Sequence, residues 1–186
     1  KLVKLITKSA PVSFVAALVF MLNPNILYLQ STPMTELTLI AFSVLSIYFF
    51  VRFLYDDKEI TSLILAAAFG FCAALSRYDG WLLVLIEAGI LVLFYLPWRE
   101  VPKRISQWNK LQGRVILFAT LAFFSIVLWL VWDGLILGDP LYFTHSDFSA
   151  KSQQQSWLAR GELPAYYNLP VAMLYYFVTS MSNIGV

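Results

Sequence analysis

Charged residues and metal-binding residues are scarce in this sequence. Only 13% of its 186 residues are charged, and it contains one cysteine and one histidine. Cys72 lies in an apolar run and His145 is far from it along the chain, which excludes a disulfide framework and a structural zinc site. The net charge of +2 is too small to indicate a nucleic-acid partner.

The common catalytic signatures are also missing. The sequence has no G-x-S-x-G, no Walker A motif and no H-E-x-x-H. No acidic pair with one-residue spacing lies on the predicted outer face to hold a divalent ion, and Asp56-Asp57 lies on the other side and is interpreted as part of a solvated loop. We therefore predict neither a metal site nor a cofactor.

Apolar residues dominate instead. They make up 60% of the chain, and the mean hydropathy is +0.72. A water-soluble domain of this length could not bury so much apolar surface, so the composition predicts an integral membrane protein in contact with the lipid bilayer.

The apolar residues fall into stretches of the length that a membrane requires. A hydrocarbon core of about 30 Å needs about 20 helical residues. The sequence therefore predicts an all-α, polytopic transmembrane helical bundle in one domain, with about five complete membrane helices and the start of a sixth. The predicted helices are 9–29, 34–54, 60–76, 80–97, 115–137 and 169–186, with a loop at 138–168.

Two prolines mark boundaries in the first part of the chain. Asn23-Pro24-Asn25 predicts a break or kink in the first helix, because proline lacks the backbone donor that a helix interior uses. Thr32-Pro33 predicts the start of the second helix, with Thr32 as N-cap and Pro33 at the first helical position.

Both ends of the sequence look cut. The chain opens on Lys1 without a methionine and closes within a short apolar stretch. We therefore expect it to be a fragment of a longer protein.

Basic residues are distributed unevenly between alternate loops, which predicts the orientation. Of the 13 Lys and Arg residues, ten fall on one predicted side. These ten are Lys1, Lys4, Lys8, Arg52, Lys58, Arg99, Lys103, Arg104, Lys110 and Arg114. The sequence thus predicts a multi-pass protein whose Lys1 end is cytoplasmic. Trp81 and Trp132 near the outer boundaries and Trp98 near an inner one are interpreted as interfacial anchors.

Most other ionisable residues gather on the predicted outer side. Glu36 lies in the first turn of the second helix, where an acid stabilises the helix dipole. Arg77 and Asp79 lie between the third and fourth helices, and Asp133 and Asp139 lie at the outer end of the fifth. The outer loop adds His145, Asp147, Lys151, Arg160 and Glu162. For Glu36, dipole stabilisation and ligand binding are both open.

The segment Arg77-Tyr78-Asp79-Gly80-Trp81 has two interpretations. It is either an interfacial turn with an Arg–Asp pair and a tryptophan anchor, or a site where Arg77 binds a lipid-linked phosphate. A guanidinium group binds phosphate with two parallel hydrogen bonds, and a headgroup phosphate would lie at this depth.

Glu87 is the acid deepest in the predicted membrane. An isolated carboxylate is costly there, so Glu87 is expected to be paired or to form a hydrogen bond as the protonated acid. A proton relay is the alternative, although no second deep charge accompanies it. The loop 138–168 is longer than a connection needs, which favours a lid or a substrate platform. Within this loop, Arg160-Gly161 predicts the end of a helix.

Four segments in this order resemble one family of membrane enzymes. They are Asn23-Pro24 to Leu29, Thr32-Pro33-Met34-Thr35-Glu36, Ser76-Arg77-Tyr78-Asp79-Gly80-Trp81 and Gly138-Asp139-Pro140-Leu141-Tyr142-Phe143. The sequence thereby resembles the membrane glycosyltransferases of the GT-C superfamily, especially bacterial and archaeal members similar to family 39 and the dolichyl-phosphate-mannose protein mannosyltransferases. The resemblance implies an integral, multi-pass protein of a prokaryotic plasma membrane.

The resemblance implies transfer of a sugar from a polyprenyl-phosphate donor to a protein, lipid or glycan acceptor on the extracytoplasmic face. The family uses a catalytic Asp in its first outer loop, and the segment from Asn23 to Pro33 contains no acid. We therefore expect the catalytic residue to precede Lys1.

The predicted substrate-binding residues are Arg77, Glu36, Asp79, His145, Tyr78 and Lys151. Arg77 is the candidate for phosphate, with Lys151 or Arg160 as alternates, and Glu36, Asp79 and His145 are candidates for sugar or acceptor hydroxyls. The alternative functions are a membrane transporter or lipid flippase, indicated by Glu87, Pro24 and Gly70, and a non-catalytic subunit of a membrane complex.

Overall fold

The fold consists of helices. The computed structural model describes residues 1–32, 34–55, 59–95, 104–147, 149–163 and 167–184. Within these ranges there is no strand, which confirms the all-α class. The helices are α1 (Leu2–Thr7), α2 (Ala10–Met21), α3 (Pro24–Ser31), α4 (Glu36–Tyr55), α5 (Ile60–Ser76), α6 (Asp79–Tyr95), α7 (Arg104–Ile136), α8 (Tyr142–His145), α9 (Ala150–Ala159) and α10 (Leu169–Ile184).

Two helices of the described chain are long and apolar enough to cross a membrane by themselves. They are α4 and the part of α7 from Gln112 to Ile136. A third crossing results if α2 and α3 form one bent span, and α5 and Leu169–Met181 of α10 are apolar but shorter. The structure therefore supports two or three candidate membrane spans. The predicted number of five complete crossings is not confirmed.

The break predicted at Asn23-Pro24 is confirmed. The axes of α2 and α3 differ by 52°. The Asn23 side chain caps α3 by accepting hydrogen bonds from Asn25 N at 2.9 Å and Ile26 N at 3.4 Å, and Pro24 occupies the first turn. The side-chain oxygen of Asn23 thus accepts hydrogen bonds from backbone N–H groups that the first turn of α3 leaves without a helical partner.

The start of α4 differs from the prediction. Thr32 is the C-cap of α3 in an extended conformation, and α4 begins at Glu36. The Thr32 hydroxyl donates to Tyr28 O at 3.3 Å, so it serves the helix before it. Predictions for Pro33, Asp56-Asp57 and Trp98, for the basic residues Lys58, Arg99 and Lys103, and for positions 96–97 and 185–186 of the spans, lie outside the described residues.

Helix α5 lies at the centre of the bundle and contacts α4, α6 and α7. Small residues with helical spacing form its buried surface, at Ala66, Ala67, Gly70, Ala73 and Ala74. Small side chains allow helix backbones to approach closely, which is the main source of packing energy where lipid replaces water. This stripe explains why α5 is the helix that the others surround.

Glu87 is buried in this packing, with 3% of its surface exposed. Its carboxyl oxygens lie 2.9 and 3.1 Å from Ser46 Oγ on α4, and that hydroxyl lies 2.9 Å from the carbonyl oxygen of Ala66 on α5. A Cβ at Gly70 would lie 3.3 Å from Ser46 Oγ, so the glycine leaves room for the group. Glu87 therefore joins three helices through one hydroxyl, as expected for a paired residue.

The other end of the bundle carries an ion pair. Arg52 Nε donates to Glu59 Oε2 at 2.7 Å, and the Ser62 hydroxyl donates to the same oxygen at 2.9 Å. The hydrogen bond from Ser62 and the charge and hydrogen bond of Arg52 outweigh burial and hold the pKa of Glu59 below its usual value. These contacts tie the end of α4 to the start of α5.

Residues 138–168, predicted as an outer loop, contain two helices in their described part. Gly138 has φ 76°, and the Asp139 side chain accepts from Leu141 N at 2.9 Å, which turns the chain into α8. Helix α9 follows and ends as predicted near Arg160-Gly161, with Gly161 in the left-handed conformation at φ 73°. The segment therefore has more regular structure than a simple linker.

Candidate functional site

Four helix ends lie together at one end of the bundle, which we call the Arg77 end. They are the starts of α4 and α6 and the ends of α5 and α7. Arg77 forms ion pairs with two acids there, through Nη1 to Glu36 and through Nε to Asp79 Oδ2 at 2.9 Å. Three of the predicted site residues are therefore in direct contact, although Glu36 and Arg77 are 41 positions apart.

Local backbone structure explains how the three charges meet. Glu36 and Asp79 each lie in the first turn of a helix, where unpaired N–H groups favour negative charge. Arg77 follows the last turn of α5 in an extended conformation, with φ −158° and ψ 150°. The short connection from α5 to α6 thus places the guanidinium group between the two acids.

The charge balance of this triad is negative. One guanidinium group faces two carboxylates, and their formal charges sum to about −1. Burial lowers the pKa of Arg77, but the hydrogen bond to Asp79 and the charges of Glu36 and Asp79 outweigh it, so the pKa is raised. The two ion pairs use Nε and Nη1, and Nη2 takes part in neither. The triad as it stands is better suited to bind hydroxyl groups than a bare anion.

Three aromatic rings lie next to the triad and form what we call the aromatic cluster. Phe143 of α8 stacks on Tyr78, with ring centroids 5.9 Å apart and an interplanar angle of 26°. The same phenylalanine meets Trp81 edge to face at 5.3 Å and 77°. Two of the segments that carry the family resemblance are therefore in contact.

Gly80 permits the close approach of α6 to α5 at this end. A Cβ on Gly80 would lie 2.5 Å from Ala73 O and 2.7 Å from Ala74 N. Both are backbone atoms, which cannot rotate away. Glycine is therefore required here by packing, and it fixes the position of the residues on either side of it, Asp79 and Trp81.

A cavity of about 480 Å³ lies between α5 and α7, close in sequence to Arg77. Its walls are Leu75, Leu128, Trp129, Trp132 and Asp133. Asp133 is 6% exposed, and in the described ranges its carboxyl group has no hydrogen-bond or ionic partner. The Trp129 indole nitrogen is buried and unpaired in the same part of the structure.

The remaining predicted residues do not join the triad. His145 lies on α8 and is well exposed, with Nδ1 at 3.7 Å from Asp139 Oδ2. Lys151 is exposed on α9 and has no ionic partner among the residues that can be described. Arg160, an alternate for phosphate, pairs with Glu162 at 3.4 Å. The structure thus brings together Glu36, Arg77, Tyr78 and Asp79 and leaves His145 and Lys151 apart from them.

In the sequence, Asp133 is distinguished only as an acid at the end of a predicted helix. Its spacing of four residues from Trp129 indicates a shared helix face, but which neighbour covers that face depends on packing. Across the described ranges, no three His, Cys, Asp or Glu side chains group as metal ligands would.

The chain matches no protein-family model, no curated protein and no solved structure.

Proposed function

We propose that the chain belongs to a membrane glycosyltransferase that uses a polyprenyl-phosphate sugar donor and an acceptor on the extracytoplasmic face. The observation that carries the proposal is the Arg77 end, where Glu36, Arg77 and Asp79 form one polar group beside an aromatic cluster. Charged groups near membrane depth are costly, and where they occur they often mark a binding or catalytic site. Elsewhere in the described bundle, Glu87 and the Arg52–Glu59 pair are held by hydrogen bonds within the fold.

The proposed arrangement puts these polar groups at the outer membrane surface, with five membrane crossings and Lys1 in the cytoplasm. Support comes from the lengths of α4 and α7, from the bent pair α2–α3, and from the basic residues in alternate loops. A sugar phosphate attached to a lipid would present its headgroup at this level. In this arrangement, the polar side chains of the Arg77 end lie at the level of the substrate headgroup.

The roles within the triad follow from its charge. Phosphate is a good leaving group, so the protein has to balance the charge that develops on it and position an acceptor hydroxyl. Glu36 and Asp79 accept hydrogen bonds from hydroxyl groups, and Arg77 holds both carboxylates in place. Its Nη2 group, which takes part in neither ion pair, is the donor of the triad that is left for the phosphate.

A transfer assay tests the proposal. Full-length protein in liposomes receives a short synthetic polyprenyl-phosphate mannose or glucose, and the release of polyprenyl phosphate and the transfer of labelled sugar are measured. Arg77→Ala and Glu36→Ala should each reduce transfer by about tenfold or more, because the first leaves two carboxylates without their cation and the second removes one of the two acids that hold Arg77 in place. Lys8→Ala is the matched control, because Lys8 lies on the predicted cytoplasmic side, opposite to the triad.

Two results would contradict the proposal. The first is no consumption of either donor by well-folded protein in the presence of cell-envelope acceptors. The second is transfer at the normal rate by both Arg77→Ala and Glu36→Ala. Expression and size-exclusion profiles of each variant separate loss of function from loss of folding.

A transporter is the second candidate, because α2 and α3 form a broken helix. A cavity of about 780 Å³ lies against that break and is lined by residues of both helices and by Ile40. Broken helices line substrate sites in many transporters. Movement of a lipid-linked sugar across liposomes without any transfer of the sugar would favour this function over the first.

A further inference from the structure

The cavity between α5 and α7 contains a buried acid that the proposed function does not use. We infer that this cavity is a sugar-binding subsite, in which Asp133 accepts hydrogen bonds from ring hydroxyls and the tryptophan side chains contact the ring. The inference rests on the proposed function for the identity of the reaction, but it concerns binding and can be tested without transfer.

Asp133 is in an unfavourable position for a carboxyl group that has only a structural role. It lies in the last turn of α7, where the helix carbonyl groups already concentrate negative charge. No described side chain or backbone group donates to it. Buried polar groups almost always have a hydrogen-bond partner, and Asp133 lines the cavity, so a molecule in the cavity that donates hydrogen bonds would supply the missing partner.

The walls of the cavity indicate what that molecule is. Most of the lining is apolar, and Trp129 and Trp132 contribute indole rings. The face of an indole is electron-rich and attracts the slightly positive C–H groups on one side of a sugar ring. A single acid among apolar and aromatic walls is the usual composition of a pocket that orients a ligand through a few polar contacts.

Size and position agree with a sugar. A volume of about 480 Å³ lies within the range of small-molecule sites and is larger than an ammonium group needs. Leu75 of the cavity wall precedes Arg77 by two residues, so the cavity and the triad share the end of α5. A donor with its phosphate near Arg77 can therefore place its sugar beside Asp133.

The experiment measures sugar binding directly. Full-length protein is placed in nanodiscs of phosphatidylglycerol and phosphatidylethanolamine, because maltoside and glucoside detergents would themselves occupy the cavity. Methyl mannoside and methyl glucoside are the probes, and saturation-transfer NMR reports binding. Choline chloride is included because a carboxylate with tryptophan rings also suits an organic cation.

We expect at least one glycoside to bind to the unmodified protein. Asp133→Asn should weaken that binding by about tenfold or more, since a charged acceptor of hydroxyl protons is replaced by a neutral amide. Trp132→Ala should weaken it by several-fold, and its side chain is 65% exposed, so this variant is expected to fold. Asp147→Asn is the matched control, because Asp147 is an exposed acid outside the cavity.

Each outcome separates this inference from the proposed function. Glycoside binding that depends on Asp133, without transfer from a lipid-linked donor, supports the subsite and contradicts the enzyme. Transfer that occurs while Asp133→Asn and Trp132→Ala bind glycosides normally contradicts the subsite and leaves the enzyme standing. Binding of choline in place of glycosides, or no binding of either, also overturns the subsite.

Discussion

A methyl group added at Gly80 should separate α6 from α5, whereas the same change at Gly89 should be tolerated. Both glycines lie on α6. The Cβ of Gly80→Ala would lie 2.5 to 2.7 Å from three backbone atoms of Ala73 and Ala74, and a Cβ on Gly89 would have no neighbour within 4 Å. The pair therefore isolates helix packing from helix propensity.

The magnitude follows from the contact distances. Carbon and oxygen atoms in good contact are about 3.5 Å apart, so α6 has to move by about 1 Å at this end. Overpacking costs about 1 to 3 kcal/mol, and the backbone neighbours place Gly80→Ala at the upper end of that range. Replacing a helical glycine by alanine gains about 0.5 to 1 kcal/mol, which is the whole effect expected for Gly89→Ala. The two variants should therefore differ by about 3 kcal/mol in unfolding free energy.

The assay is reversible unfolding in mixed micelles, followed by circular dichroism as the fraction of denaturing detergent is raised. The displaced helix also carries Asp79, so Gly80→Ala should weaken any activity that depends on the triad, and Gly89→Ala should not. Equal stability of the two variants would refute the close packing of α5 and α6. A loss of stability in Gly89→Ala alone would refute the whole placement of α6.

Three further predictions concern other contacts. Because the pKa of Glu59 is lowered in the folded protein, the Glu59 carboxylate stabilises the fold fully above its unfolded pKa of about 4.5, and this stabilisation is lost as pH falls through the folded pKa. Glu59→Gln should remove this pH dependence from melting curves recorded between about pH 6 and about pH 3. Glu87→Gln keeps a donor towards Ser46 and should change unfolding free energy by less than about 1 kcal/mol, while Ser46→Ala leaves a buried acid unpaired and should cost about 1 to 3 kcal/mol. The reverse order would contradict the hydrogen-bonded node. Phe143→Ala should expose α8 to proteolysis without unfolding the bundle, because its ring is the described contact of α8 with Tyr78 and Trp81. Unchanged cleavage would refute that contact.

The hydrogen bonds around Glu87 depend on which of the side chains carries a proton. A serine hydroxyl has one proton to donate, and Ser46 Oγ lies at hydrogen-bond distance from both Ala66 O and the Glu87 carboxyl. If Ser46 donates to the carbonyl, the carboxyl has to donate to Ser46. A glutamine can fill that place, which is why the predicted order of the two variants is informative.

The sequence by itself determined the all-helical class, the break at Asn23-Pro24 and the end of α9 before Gly161. These features depend on local chemistry, namely apolar content, the missing proline donor and the left-handed conformation of glycine. It also placed Glu36, Arg77 and Asp79 on the same predicted side, although it could not show that they touch.

Only the tertiary structure decided which charges are partners. Arg77 is bracketed by two acids because the packing of α4 against α5 brings Glu36 from 41 positions away, and no spacing in the sequence reports that distance. Thr32 caps α3 instead of α4 for a similar reason, because the backbone conformation on both sides of a residue decides which helix it caps. The burial of Asp133 beside a cavity depends on how α5 covers α7, which is a property of the packed helices and of no single one.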